Sequence, residues 1–338
     1  MEKVKVGLIG FGIMGSMYAE ALDAWEHTCV AGIAEPNPGK RAEAAAKHSC
    51  PSYASYQAMF QKADLDAVII AVPDFLHREP FLAAAKAGKH ILIEKPLAMT
   101  VADAEAMVAA VEQAGVKCQI EFSNRWSLPF VQAHERVQEG KLGDILSVTA
   151  TLNDTVFVPT QMLSWAGRSS PAWFLMSHTA DLVAWITGKK PVRVVAKGTK
   201  QWLASQGIDT YDVIEALVEY ANGTTGRYTS GWVLPAGFPI IYELKLRLIG
   251  TKAAIDIDMS DQSMHWIGKD SYAHVTNVSG KVCGRHVGFV YEMLRSFIDC
   301  VRGGTEPLAT VYDGLANTRF LAAVHTSLDT RQPVDIAL

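Results

Sequence analysis

Residues 10–15 read Gly10-Phe11-Gly12-Ile13-Met14-Gly15, and the reading of this hexapeptide decides the fold. It follows the short apolar run Val4–Ile9 and opens a helix pattern that begins at Ile13. A G-x-G-x-x-G turn in that strand–helix setting is the fingerprint of a dinucleotide-binding loop. The first glycine allows a tight turn, the second lets backbone approach a pyrophosphate, and the third lets the helix pack close to the sheet. The amino end of the helix then offers free N–H groups and a partial positive charge to phosphates. Without its flanks the hexapeptide is only a tight turn; with them, dinucleotide binding is the stronger reading.

Working outward, the run Thr28–Ala34 leads to Glu35, 20 residues beyond Gly15. A carboxylate there accepts the adenosine ribose hydroxyls and repels a 2′-phosphate, which favours NAD over NADP. Lys40 and Arg41 follow closely and are the residues that would serve a phosphate instead. Further apolar runs lie at Ala67–Val72, His90–Ile93 and Lys117–Phe122. Helix patterns separate them: one from Pro38, one over His77–Ala87 with Gly88 as its C-cap, and one over Val101–Ala114. Short continuous apolar runs alternating with helices predict βαβ units and a parallel sheet covered on both faces. This is an α/β, doubly wound Rossmann domain over residues 1–123.

The pattern changes near Asn124. A helix over Phe130–Glu139 is followed by runs with period-2 character at Ile145–Leu152, Val192–Lys197, Val213–Tyr220, Thr225–Val233 and Tyr242–Ile249. These predict a large, mostly antiparallel open sheet with one packed face. Helix patterns at Trp173–Thr187, Val287–Arg302 and Val311–Thr330 complete an α+β domain over residues 124–338, for substrate binding and oligomerisation.

Composition narrows the function classes. The chain has 338 residues, is 49% hydrophobic and 20% charged, and carries 31 basic against 35 acidic residues for a net charge of −4. No basic block is present, so a nucleic-acid or anionic-membrane surface is not indicated. No run of 18 apolar residues predicts a membrane span. The five cysteines, Cys29, Cys50, Cys118, Cys283 and Cys300, lack a C-x-x-C pair. Reduced thiols and a cytoplasmic location are the expectation, and the amino terminus shows no secretion signal. Asp256, Asp258 and Asp261 form half a calcium loop without its glycine and terminal glutamate. His265, His274 and His286 have no metal-ligand spacing. No metal is therefore expected. No G-x-S-x-G supports a hydrolase.

Three further motifs add specificity. Val72-Pro73-Asp74-Phe75-Leu76-His77 follows a middle strand, and Glu94-Lys95-Pro96 follows the next. Asn124-Arg125-Trp126 leads into the second domain, and His178-Thr179-Ala180-Asp181 with Trp185 and Gly188 forms a helix there. Together with the glycine loop, in this order over nearly the whole chain, the set resembles the Gfo/Idh/MocA family of glucose–fructose oxidoreductase and inositol dehydrogenase. The resemblance implies a pyridine nucleotide in the first domain and a sugar or cyclitol on the open sheet of the second. Lys95 matches the family's active-site lysine, and the following proline is usually joined to it by a cis peptide. Lys95 also lies just past the carboxyl end of a parallel strand, where open α/β sheets place ligands. A lysine partly desolvated there exchanges protons closer to neutrality.

The cofactor contacts implied are Gly10, Phe11, Gly12, Ile13, Met14 and Gly15; Glu35, Pro36 and Asn37; Ala71, Val72, Pro73, Asp74 and His77; Glu94, Lys95 and Pro96; and Asn124. His178 is the second catalytic candidate. Phe174, His178, Asp181 and Trp185 fall at i, i+4, i+7 and i+11, so a regular helix carries all four on one face, with Asp181 placed to orient His178. The family commonly has an aspartate where this chain has Phe174, and Ser169-Ser170-Pro171 replaces its glycine-rich lead-in. Lys95, His178, Arg125, Trp126, Trp165, Arg168 and Trp173 are the candidates to hold substrate.

The chain thus reads as an NAD-dependent dehydrogenase acting on a secondary alcohol of a sugar, sugar derivative or cyclitol. In it Lys95 takes the hydroxyl proton, directly or through His178. The open sheet face, expected to be apolar, would make a homodimer or homotetramer. Two other readings remain: a redox-cycling glycosidase or lyase that retains its NAD, and a non-catalytic dinucleotide sensor.

Overall fold

The computed structural model describes residues 3–261, 264–269, 272–274 and 278–337. The chain divides into two compact units: Met1–Ser123 with Ser279–Leu315, and Asn124–Val278 with Ala316–Leu338.

In the first unit, β1 (Val4–Ile9), α1 (Ile13–Ala24), β2 (Thr28–Ala34), α2 (Pro38–His48) and β3 (Ser52–Tyr53) form the first half of the sheet. After α3 (Tyr56–Lys62), β4 (Ala67–Ile70), α4 (Arg78–Lys86), β5 (His90–Ile93), α5 (Val101–Ala114) and β6 (Cys118–Ile120) form the second. The strand order is β3-β2-β1-β4-β5-β6, and every pair is parallel. Local chemistry sets the helix ends. Asn37 Oδ1 accepts from Lys40 N (3.1 Å) with Pro38 in the first turn, and Thr100 Oγ1 accepts from Asp103 N (3.1 Å). Ala87 is the C-cap of α4; Gly88, expected there, is the next residue, at φ 67°.

All four residues of β4 are buried, which is why the strand reads as an unbroken apolar run. The sheet order reverses between β1 and β4, so the crevice beyond their carboxyl ends is where this topology accepts a ligand.

In the second unit, α6 (Leu128–Gln138) precedes β7 (Ile145–Thr155). Then follow α7 (Ser177–Thr187), β8 (Pro191–Thr199), α8 (Trp202–Ser205), β9 (Val213–Tyr220), β10 (Thr225–Leu234), β11 (Tyr242–Gly250) and β12 (Ala254–Asp258). A hairpin, β13 (His265–Ile267) and β14 (Tyr272–His274), lies outside the main sheet. Two further elements belong to the first unit: the hairpin β15 (Gly280–Val282) and β16 (Arg285–Val287), and α9 (Phe289–Val301). Gln119 of β6 donates from Nε2 to Met293 O of α9 at 3.0 Å. The return of residues 279–315 to the first unit is a crossing that a single boundary after residue 123 does not contain. An amphipathic helix pattern says which face is buried, not which sheet it covers.

The chain ends with α10 (Val311–Thr330) and β17 (Val334–Asp335). The second sheet runs β12-β11-β7-β10-β9-β8-β17, antiparallel except for the β7–β10 pair. Its alternation is clear in β9, where Ile214, Ala216, Val218 and Tyr220 are buried while Glu215, Leu217 and Glu219 face out. β11 repeats it, with Leu244, Leu246 and Leu248 inside. Each such aliphatic side chain contributes about 1.5–3 kcal/mol on full burial. The open face is not the apolar surface expected. It carries Glu215, Glu219, Arg227, Lys245 and Arg247, with Leu217 and Ile249 interspersed. Among the described residues, no helix is long and apolar enough to cross a membrane.

Candidate active site

The cofactor half is built at the carboxyl ends of β1, β2, β4 and β5. Gly10 has φ 96°, and a Cβ on it would sit 2.4 Å from Ala71 O. A Cβ on Gly15 would sit 2.2 Å from Gly10 O. These two glycines are therefore fixed by the turn itself. Gly12 is different: a Cβ there would meet nothing within 4 Å. Its lack of a side chain leaves space above the loop, as a pyrophosphate on the amino end of α1 requires. Glu35, at the end of β2, is buried. Its Oε2 accepts from Phe11 N at 2.9 Å and its Oε1 from Asn37 N at 2.8 Å. Two main-chain donors thus aim the carboxylate, and each oxygen keeps a lone pair for a ribose hydroxyl. Arg41 stands at the same corner, donating from Nη1 to Glu35 O at 2.9 Å and Pro36 O at 3.1 Å. The loop and the carboxylate fit a dinucleotide without a 2′-phosphate.

Lys95 is buried at the end of β5, and the Lys95–Pro96 peptide is cis, as the resemblance implied. Glu94 accepts from the hydroxyl of the fully buried Tyr18 at 2.8 Å. Burial pushes the Glu94 carboxyl above the usual carboxylate range, against the pull of the Lys95 charge and the Tyr18 hydroxyl. Burial, with the nearby Glu94 and Glu121 carboxylates, raises the Tyr18 hydroxyl well above its ordinary value, so it remains a donor.

His77 lies buried within this turn. It is 1% exposed, with Nδ1 2.8 Å from Pro96 O and Nε2 3.1 Å from Val72 O. Burial pushes its pKa down, and Asp74, also buried, opposes the shift. A neutral ring has one N–H, so it donates to one of these two main-chain carbonyls, which lie just past β4 and β5.

In the second unit the residues leading into α7 are wound as a π turn over Ala172–Met176. This changes the single face expected. The Phe174 ring is edge-on to Trp165 at 5.9 Å and tilted against Trp232 at 5.7 Å. Beyond the π turn, His178 Nδ1 lies 3.4 Å from Asn124 Nδ2. Asp181 accepts from Arg125 Nε at 3.0 Å and Nη2 at 2.6 Å. The Arg125 guanidinium also lies 5.8 Å from the Trp185 ring centre, and Trp185 stacks on His134 at 4.4 Å. π turns are enriched at functional sites. Here the turn directs Phe174 to one aromatic cluster and leaves Asp181 and Trp185 facing Arg125.

Several expected substrate contacts therefore move. Arg125 and Asp181 are each 3% exposed, and their paired side chains form an internal ion pair. The Asp181 carboxylate, expected to orient His178, is thus held by Arg125. Trp173 is buried and stacks on His325 at 5.0 Å with an interplanar angle of 8°, so it is core. His178, Trp126 and Trp165 are half-buried and Arg168 is exposed.

Sequence reasoning missed Tyr18, which no spacing relates to Glu94, and Trp232, which is fully buried beside Phe174. It also missed Asn317, whose Nδ2 donates to Ser177 O at 2.9 Å beneath the first turn of α7.

Residues 4–122 match the family model described as an oxidoreductase family with an NAD-binding Rossmann fold. Residues 130–256 match that of the GFO/IDH/MocA C-terminal domain. Levoglucosan dehydrogenase of Pseudarthrobacter phenanthrenivorans is 31% identical over 260 residues, 67% of this chain and 67% of the relative. The NAD(+)-dependent scyllo-inositol 2-dehydrogenase of Bacillus subtilis is 25% identical over 99% of this chain and 97% of its own. The crystal structure of scyllo-inositol dehydrogenase from Lactobacillus casei, with NAD(H) and scyllo-inositol bound, superposes with a TM-score of 0.87. It is 21% identical and covers 100% of both chains.

Proposed function

The chain belongs to the Gfo/Idh/MocA family of oxidoreductases, and on that premise we propose that it oxidises a secondary alcohol of a sugar, sugar derivative or cyclitol with NAD. The observation that carries the reading is Lys95, buried at the end of β5, on the sheet edge that also holds the glycine loop and Glu35.

The glycine loop, with Glu35, binds and orients the dinucleotide. When bound, NAD supplies the two-electron acceptor at its nicotinamide ring. Lys95 takes the substrate hydroxyl proton at Nζ as the carbinol hydride leaves, which is general-base work. His178 is the second proton-transfer group, and Asn124 beside its Nδ1 orients the ring. Arg125 and Asp181 support the turn and helix that present Asn124 and His178. Substrate is held by His178, Trp126, Trp165 and Arg168.

Phe174 bears on specificity. Where the family pattern has a carboxylate to hold a hydroxyl, this chain has a ring packed on Trp165 and Trp232. An aromatic ring accepts a C–H face of a sugar and offers no acceptor to a hydroxyl. The substrate in this reading lacks that hydroxyl or turns it away, and free myo-inositol is a poor substrate.

The test is a panel of pyranoses, anhydro sugars and cyclitols with NAD and with NADP, read by absorbance of the reduced cofactor. The reading predicts stoichiometric NADH from at least one sugar or anhydro sugar and little from myo-inositol. Product formed without net NADH would move the assignment to redox-cycling elimination. Efficient myo-inositol oxidation would overturn the role given to Phe174.

A further inference from the structure

We propose that Asp261, His265 and His274 form a binding site for one divalent transition-metal ion of the zinc class, remote in sequence from every residue given a catalytic role. Sequence spacing shows no such motif, because hairpin pairing assembles it. His265 and His274 are direct register partners across the β13–β14 pair, and their rings stack at 4.2 Å and 14°. Asp261 approaches from the end of the preceding loop, with Oδ1 3.1 Å from His265 Nε2. One ligand atom from each of the three residues lies within 4.8 Å of the others. Bonds of about 2.0–2.2 Å from nitrogen and carboxylate oxygen let one ion be reached by all three after small side-chain adjustments.

The surroundings prepare the ligands. His274 Nδ1 faces the main-chain oxygen of Ser260. A carbonyl only accepts, so Nδ1 carries the hydrogen and Nε2 presents its lone pair, the arrangement typical of a metal-binding imidazole. The Tyr272 hydroxyl lies 3.0 Å from that Nε2 and 3.3 Å from His265 Nδ1, marking the polar space between the rings. Ser260 is itself fixed, donating from its main-chain nitrogen to Asp258 Oδ1 at 2.9 Å. Asp258 is engaged with Ser260 and with Lys245 at 3.5 Å, so it supports the loop and is not a ligand.

Two imidazoles and one carboxylate suit zinc, nickel, cobalt or copper, whereas an all-oxygen set would suit calcium or magnesium. Three protein ligands at a surface leave the remaining positions to water. The ion would tie the hairpin to the Ser260–Asp261 loop, which gives it a structural task.

The full chain, stripped by chelator, is titrated with Zn(II) alone by calorimetry. The proposal predicts one ion per chain with a Kd on the order of 1–10 μM. Affinity should fall at least about tenfold in His274→Ala and in His265→Ala, since each loses one of three ligands. Asp261→Asn, which keeps the side chain's size, should weaken it by a few-fold or more. NAD affinity and metal-free melting temperature should be unchanged in all three, which separates loss of a ligand from loss of fold. Absence of Zn(II) binding below about 1 mM would overturn the proposal, as would binding that both histidine variants retain. The latter result would place the ion on other side chains, such as the exposed Cys283.

Discussion

Glu35 shows how much one side chain can decide. Main-chain donors from Phe11 and Asn37 hold its carboxylate at the end of β2. On the proposed binding of the dinucleotide beside it, a carboxylate there would accept from the ribose and repel a 2′-phosphate. Glu35→Ala should therefore narrow the NAD-over-NADP ratio in kcat/KM by one to two orders of magnitude, equivalent to about 1.5–3 kcal/mol for a charge-assisted bond. Arg41, already anchored at this corner, is placed to meet the added phosphate once the carboxylate is gone. Steady-state kinetics with both cofactors check this, and an unaltered enzyme that uses them equally would contradict it.

At the scale of elements, two contacts hold α7 and its approach. Asp181 and Arg125 are buried together, so removing one leaves the other charged and uncompensated. Asp181→Asn should cost about 3–5 kcal/mol in denaturant unfolding, the usual cost of breaking a buried pair. A loss under 1 kcal/mol would show that water reaches the guanidinium.

The second contact is His325 of α10, which stacks on Trp173 of the π turn and lies 3.0 Å from Ser170 Oγ through Nε2. Burial pushes its pKa from 6.5 down to about 4. As pH falls, the unfolded chain takes this proton first. Stability from this group is thus complete above pH 6.5 and is lost progressively down to about pH 4, by at most about 3 kcal/mol. His325→Gln should show a smaller drop in melting temperature between pH 7 and pH 5 than the unaltered chain, in parallel calorimetric scans.

What was legible in the sequence follows the same division. β1, β2, β9, α5 and α10 occupy the spans their patterns predict, because strands buried on both faces are written as apolar runs, a one-sided strand such as β9 as alternation, and α5 carries its own stops, Thr100 and Gly115. The placement of the glycine loop, Glu35 and Lys95 was legible because each follows directly on an apolar strand run. The π turn was not, since it is a matter of hydrogen-bond pattern and leaves no mark in residue spacing. The Arg125–Asp181 pair spans 56 residues, and the β7–β10 parallel pairing joins residues still farther apart, such as Ser147 and Thr225, so no local period announces either. The burial of His77 and Trp173 was not legible for a simpler reason. A polar or aromatic residue near a site looks the same in sequence whether it faces the ligand or the core.

For the whole molecule, the parallel sheet of the first unit carries the glycine loop, Glu35 and Lys95, and the second unit carries His178 and the aromatic cluster. The central claim is that Lys95 moves the substrate proton and is not a support for the nucleotide. The most direct test is Lys95→Met, which keeps the side chain's length and removes its amine, measured by NADH formation and by NAD binding on the same preparation. The account predicts NAD affinity within a few-fold of the unaltered chain and turnover lower by about 10²–10⁴, persisting at saturating substrate, the usual worth of a positioned proton-transfer group. An unchanged kcat with a raised KM, or collapse of NAD binding in a variant that still folds, would contradict it.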